Sequence, residues 1–67
     1  MKINPKRALC ALAKRDGNKV RVTGYWCGDF EGEILEVWET FAVIQRGEHR
    51  QDVLYEFATF SEVKKNG

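Results

Sequence analysis

The chain has few of the residues that build disulfide-rich or metal-binding domains. Its 67 residues include 2 cysteines, 1 histidine and 1 proline. Cys10 and Cys27 belong to no dense cysteine framework, and neither they nor His49 show the Cys-x-x-Cys or His-x-x-x-His spacing of zinc sites. We therefore expect a reducing compartment, thiols that are buried or idle rather than reactive, and no metal or other cofactor.

Long apolar runs are also missing. Charged residues make up 31% of the chain, and no apolar stretch approaches the ~20 residues of a membrane span. The segment 1–7 becomes charged before any apolar run long enough for a signal peptide. The sequence therefore predicts a cytoplasmic protein without a membrane partner. With 11 basic and 10 acidic residues, any nucleic-acid site must be a local patch.

Catalytic constellations are equally scarce. The single histidine lies in a charged segment with no serine or cysteine beside it, and no phosphate-binding glycine motif appears. The acidic residues that follow one predicted strand are typical of a solvated outer face rather than of paired catalytic carboxylates; they are Glu31, Glu33, Glu36 and Glu39. We expect a binding subunit and not an enzyme.

A short amphipathic helix is predicted over about residues 5–15. Asn4 is a good N-cap, and Pro5 suits the first helical position because its missing N–H costs nothing there. Lys14 and Arg15 complement the dipole at the C-terminal end, where an Asp-Gly pair stops the helix. The apolar side chains that recur at helical spacing and predict the buried stripe are Ala8, Leu9, Leu12 and Ala13.

Residues 19–63 carry the alternating pattern of β-strands. A first strand includes Val20 and extends to Trp26. In the second strand the apolar positions switch parity near Ile34 and Leu35, which predicts a β-bulge that bends the strand. The five strands are therefore expected to form a small barrel.

The later strands differ in their apolar character. Residues 41–45 are almost continuously apolar, which predicts a central strand buried on both faces. Residues 46–50 are predicted as a polar hairpin loop. The positions that mark the fourth and fifth strands are Val53, Tyr55, Phe57, Phe60 and Val63. With a frayed tail at 64–67, the chain 1–67 is one domain.

The aromatic residues are the strongest sign of a binding role. Two tryptophans, two tyrosines and four phenylalanines accompany local clusters of lysine and arginine, and small barrels bind single strands by base stacking and phosphate attraction. We assign Phe30, Trp38, Val43 and Phe60 to packing. The rings near strand ends, where they can be presented to a ligand, are Tyr25, Phe41, Tyr55 and Phe57.

Three motifs follow the helix in order: Gly28-x-x-x-Gly32-x-Ile34, Trp38-Glu39-Thr40-Phe41 and Tyr55-Glu56-Phe57-Ala58. In this order and spacing the chain resembles the Sm-like family, particularly its bacterial Hfq branch, over nearly its whole length. The resemblance implies an SH3-like, strongly bent antiparallel barrel of five strands with an N-terminal helix. It also implies a homo-oligomeric ring of about six or seven subunits, in which the edge strands four and five pair between neighbours.

In Hfq-like proteins the second and third of these motifs line a pore that binds uridines. By this resemblance Phe41 would stack on a base, Tyr55 would support it, and Thr40, Glu56 and Phe57 would complete the pore. The family carries an amide, a lysine and a histidine at the last three positions. This chain therefore lacks a cation that attracts phosphate and a donor to the base edge.

The helix end of Hfq-like proteins carries a basic rim, and Lys14 and Arg15 fall at that place. Tyr25 is a further candidate for stacking. Together these residues predict a ring subunit that binds single-stranded RNA, as an RNA chaperone or riboregulator. The alternative is a Sm-like or SH3-like oligomeric protein-interaction module without RNA activity, whose aromatic residues recognise a peptide.

Overall fold

The computed structural model describes residues 4–26 and 28–63. Its elements are α1 (Pro5–Asp16), β1 (Lys19–Thr23), β2 (Phe30–Val37), β3 (Phe41–Arg46), β4 (His49–Leu54), a 3₁₀ turn (Tyr55–Phe57) and β5 (Thr59–Val63). The strands form one antiparallel sheet in the order β4-β3-β2-β1-β5. A mainly β fold with an N-terminal helix and five antiparallel strands is thus confirmed. The sheet is not closed, and its edges are β4 and β5 as predicted. The predicted tail lies outside the described residues.

Helix α1 begins at Pro5, as the sequence predicts, and ends at Asp16, one residue later than predicted. The Asn4 side chain accepts a hydrogen bond from the Lys6 N–H at 3.0 Å. Gly17 ends the helix with φ 70°, a left-handed conformation that glycine adopts without strain. Cys10 and Ala13 are fully buried under the helix, which packs on β2 and β5. Leu12 is 48% exposed, so the predicted buried stripe is wrong at this position.

Strand β2 is the bent centre of the sheet. Its residues 30–33 pair with β1, and its residues 34–37 pair with β3. The register shifts between Ile34 and Glu36, which leaves Leu35 unpaired and confirms the predicted bulge. The prediction that the third strand is central was wrong, because β2 and not β3 occupies that place.

Strand β3 has the burial that its composition predicts. Ala42, Val43 and Ile44 are consecutive and all buried, so both faces of the strand are covered. The hairpin that follows is tighter than expected, because only Gly47 and Glu48 separate β3 from β4. Gly47 has φ 61°, and Glu48 is not among the described residues with a positive φ, which is the pattern of a type II′ turn. Most of the segment predicted as a loop is therefore paired strand.

Two strands end earlier than their alternating pattern suggests. β1 ends at Thr23, so Trp26 lies in the following connection and not in the strand. After Leu54 the chain enters the 3₁₀ turn. The Lys6 ammonium holds this turn by donating hydrogen bonds to the carbonyls of Tyr55, at 2.7 Å, and Ala58, at 2.6 Å.

The inner face of the bent sheet and the underside of α1 form one core. Its buried members are Cys10, Ala13, Val20, Val22, Tyr25, Ile34, Ala42, Ile44, Val53, Tyr55, Ala58 and Phe60. Phe30 packs on this core at its margin, with the Arg46 guanidinium 4.9 Å from the centre of its ring. Within the described residues, no helix has the length and apolar character needed to cross a membrane.

Candidate functional site

The fold brings together two segments that the sequence singles out. Residues 38–40 connect β2 to β3, and Tyr55 opens the 3₁₀ turn. The Tyr55 N–H donates to the Thr40 carbonyl at 3.2 Å, and the Tyr55 hydroxyl donates to the Trp38 carbonyl at 2.6 Å. Tyr55 therefore holds the 3₁₀ turn against the β2–β3 connection through both its backbone and its side chain.

The Tyr55 ring itself is a core group. Its exposed fraction is 1%, and it packs edge-on against Phe60 with ring centres 5.9 Å apart. Burial raises the pKa of the phenol to about 12, so the hydroxyl stays a donor to Trp38. The expectation that this ring is presented at a strand end was wrong, because the chain turns inward there.

A stacked aromatic pair covers the surface beside this joint. Phe41 is half-buried and lies nearly parallel to Trp38, with ring centres 6.2 Å apart and an angle of 19° between planes. Trp38 is 52% exposed, and its indole N–H donates to the Glu36 carboxylate at 2.9 Å. Its assignment to packing was wrong. Its place in a short polar connection was the signal that it lies at the surface.

The remaining predicted pore residues lie on the surface of the same connections. Thr40 and Glu56 are exposed, and Phe57 is 61% exposed, as expected for a ring available to a ligand. Glu39 is exposed next to Thr40. Exposed carboxylates therefore stand beside Thr40 and beside Phe57 in the chain.

The predicted basic rim lies at the end of α1. Lys14 and Arg15 are both exposed, and the Arg15 Nε forms an ion pair with Asp16 at 3.1 Å. Lys14 also lines a shallow groove of about 390 Å³, here called the Lys14–Trp38 groove. Its lining residues are Lys14, Leu35, Glu36, Val37 and Trp38. The structure thus places a cation of the rim and the outer ring of the aromatic pair on one concave surface.

A second groove, of about 510 Å³, lies between the β1–β2 connection and the end of β4. It is here called the Trp26 groove, and its lining residues are Gly24, Tyr25, Trp26, Leu54 and Phe57. Tyr25 is 6% exposed, and its hydroxyl donates to the Asp52 carbonyl at 3.1 Å. The expectation that this ring stacks on a ligand was therefore wrong. Trp26 is 88% exposed and packs edge-on against it.

The polar side chains of the described residues include no cluster of three or more metal-binding groups. Glu31 and Glu33 are exposed, as predicted for a solvated outer face, and Glu31 pairs with Arg21 at 3.3 Å. Cys10 is fully buried, and this burial raises the pKa of its thiol to about 12. The thiol is therefore protonated and shielded, as predicted for Cys10. Cys27 lies outside the described residues.

Comparison with known proteins adds no relative to this picture. No protein-family model, curated protein or solved structure matches the chain. The Sm-like resemblance consequently depends on the order of the motifs and stays a prediction.

Proposed function

We propose that this chain is a Sm-like subunit that assembles into a homo-oligomeric ring and binds single-stranded RNA. The observation that carries RNA binding is the Lys14–Trp38 groove, in which an exposed ammonium and an exposed indole line the same surface. Phe41 stacks behind the indole and holds it in place. Attraction of phosphate and stacking on bases are the two contributions by which proteins bind single strands without reading a duplex.

The order of strands supports the Sm-like assignment. A helix precedes an open, bent sheet whose edges are β4 and β5, and a 3₁₀ turn lies between those two strands. Tyr55 joins the motif at residues 38–41 to the motif at residues 55–58. In the resembling family these two motifs act together at the pore.

The open β4 edge supports assembly. The Tyr55 N–H donates to the Thr40 carbonyl, and hydrogen-bonded pairs alternate with non-bonded pairs along an antiparallel ladder. Counting back along β4, the residues that direct their backbone groups away from β3 are Arg50, Asp52 and Leu54. An edge of this kind is a template for another strand, and β5 of a second copy would use it.

The charge near the predicted pore changes where RNA would bind. Glu56 stands at the family's lysine position and is exposed on the 3₁₀ turn. A carboxylate repeated around a ring axis would repel phosphate there. We therefore propose that phosphate contacts are made at the helix end, by Lys14 with Arg15, rather than at the pore.

Fluorescence anisotropy and light scattering of the full chain test this proposal. Labelled oligo-U, oligo-A and mixed RNAs should bind with an affinity that falls as salt rises. Trp38→Ala should weaken binding at least about fivefold, since a stacked base contributes about 1–3 kcal/mol. Trp26→Ala removes an exposed indole from the other groove and is the matched control. RNA binding that is absent, or equal in the two variants, contradicts the proposal.

Assembly is tested on the β4 edge. Arg50→Pro removes an N–H that points away from β3, so it should dissociate the ring while the hairpin remains paired. Arg50→Ala removes the same side chain, including its ion pair with Glu36, but keeps the N–H. Light scattering should therefore show rings for the parent and for Arg50→Ala only. A folded monomeric parent contradicts the ring.

The second candidate is an oligomeric protein-interaction module without RNA activity. The Trp26 groove favours it, because three aromatic rings line a concave surface. A ring that binds none of the RNAs would make this the better assignment.

A further inference from the structure

The Trp26 groove is a concave surface of about 510 Å³ lined mainly by apolar side chains. Trp26 and Phe57 line this groove, and they are 88% and 61% exposed. Leu54 and the buried Tyr25 ring form the rest of its apolar wall. Contiguous exposed aromatic surface of this kind is unfavourable in water, and its presence marks a surface that a ligand covers.

Carboxylates surround this apolar surface. The Asp29 carboxylate accepts a hydrogen bond at 3.2 Å from the N–H of Gly24, which lines the groove. Asp52 is exposed two residues before Leu54 on β4, and Glu56 is exposed immediately before Phe57. No lysine or arginine occurs within two positions of any lining residue. The charged residues within two positions of the lining residues, Asp52 and Glu56, are therefore both acidic.

Two cations from α1 act on the 3₁₀ turn: the charge of Arg7 acts on Tyr55, and Lys6 is engaged from within. The Lys6 ammonium donates to the carbonyls of Tyr55 and Ala58. It holds the backbone of the turn and leaves the carboxylates beside the groove to interact with a ligand. A polyanion would meet like charge here, whereas a basic ligand would meet complementary charge.

We propose that the Trp26 groove binds an extended segment of another protein that carries apolar residues, proline among them, beside lysine or arginine. Grooves lined by aromatic rings receive extended proline-containing segments, whose preformed backbone loses little entropy on binding. The apolar residues cover the Trp26 and Phe57 rings. The basic side chain lies against the carboxylates or over the indole face, where a cation is attracted by the ring.

This inference is independent of RNA binding, because the two grooves share no lining residue. The proposed ligand is a separate protein and not a second copy of this chain. A second copy would also offer an apolar side chain near basic ones. That side chain is Leu12, which is 48% exposed on the helix two residues before Lys14. A helix cannot adopt the extended form that suits the groove, so we assign the groove to a separate protein.

Anisotropy with two labelled peptides tests the proposal on the full chain. The first peptide is rich in proline and leucine and ends in arginines, and its twin ends in glutamates. The arginine peptide should bind at least tenfold more tightly than its twin. Trp26→Ala should weaken it at least tenfold, and Trp38→Ala should leave it unchanged. Glu56→Gln should reduce the preference for arginine over glutamate without removing binding.

Several results would overturn the proposal. They are equal affinity for the two peptides, no measurable binding of either, and unchanged binding by a folded Trp26→Ala variant. Two further results assign the groove to another occupant and also overturn it. A loss of oligo-U binding in Trp26→Ala would indicate RNA, and a fall in its light-scattering mass would indicate a second copy. Circular dichroism checks that each variant is folded.

Discussion

Gly32 lies against the carbonyl oxygen of Gln45, so closely that a Cβ atom at position 32 would overlap that oxygen. The same Cβ would lie 2.9 Å from the Gln45 carbonyl carbon and 3.0 Å from the Cγ2 of Ile44. Gly32 belongs to the half of β2 that pairs with β1, whereas Gln45 belongs to β3. This close approach is a consequence of the strong bend in β2, which brings its neighbouring strands together.

Gly32→Ala should lower the free energy of unfolding by at least about 2 kcal/mol, because the clash is with backbone and only a shift of β3 relieves it. Urea unfolding measures the change. Gly17→Asn is the matched control and should lose less, since position 17 is open and has the left-handed φ of 70° and ψ of 23° that asparagine also adopts at helix ends. Similar losses in both variants would show that the bend is not limited by this contact.

Lys6→Met should lower the free energy of unfolding by about 1–2 kcal/mol, because it removes two hydrogen bonds from a charged donor to the 3₁₀ turn. The methionine keeps most of the side-chain volume. Lys19→Met, at an exposed position on β1, is the control and should change stability little. Equal effects of the two substitutions would contradict the role of Lys6 at the turn.

Stability should fall at alkaline pH. The Cys10 pKa is raised from 9.0 to about 12 and the Tyr55 pKa from 10.0 to about 12, in both cases chiefly by burial. Above about pH 9 the unfolded chain releases protons that the folded chain retains, so rising pH favours unfolding. The contribution of these groups is complete below pH 9 and is lost as pH rises toward 12.

Cys10→Ala tests the thiol's share of this dependence. The substitution changes stability at neutral pH by altering the core, so the slope of the urea midpoint against pH is the relevant quantity. Above pH 9 the slope should be shallower in Cys10→Ala than in the parent. Identical slopes would mean that the Cys10 thiol does not contribute.

Lys14→Ala with Arg15→Ala should weaken all RNAs alike and reduce the salt slope by about 1.4, at about 0.7 for each phosphate contact to a single strand. Of the two single substitutions, Lys14→Ala should weaken RNA binding more than Arg15→Ala, because Arg15 is already paired with Asp16. Base preference should stay unchanged. An unchanged affinity and salt slope in the double variant would show that the helix end is not the phosphate site.

Glu56→Lys with Phe57→His should raise the affinity for oligo-U relative to oligo-A. The pair restores the cation and the base-edge donor that the resembling family carries at these exposed positions. Adding Phe41→Ala should cancel the gain by removing the stacking surface. The comparison requires intact rings, checked by light scattering. An assembled variant without uridine preference would show that the pore is not a masked form of the family's site.

The sequence alone determined the features that depend on neighbours along the chain. Asn4 and Gly17 place the ends of α1, because capping involves only residues a turn away. The parity switch at Leu35 predicts the bulge, because alternation is a local property of a strand. The edge strands β4 and β5 were predicted correctly too, but from the resemblance and not from a local pattern.

Tertiary structure decided which aromatic rings are covered. Tyr55 and Tyr25 are buried while Trp38 and Trp26 are exposed. The sequence pattern places both tyrosines near strand ends, Trp38 in the packing and Trp26 in the first strand. Alternation shows that two residues face opposite sides, but not where the chain leaves the sheet. The Tyr55 turn is held by Lys6, 49 positions away in the chain. Burial of a ring depends on partners that are distant in sequence, and only folding brings them together.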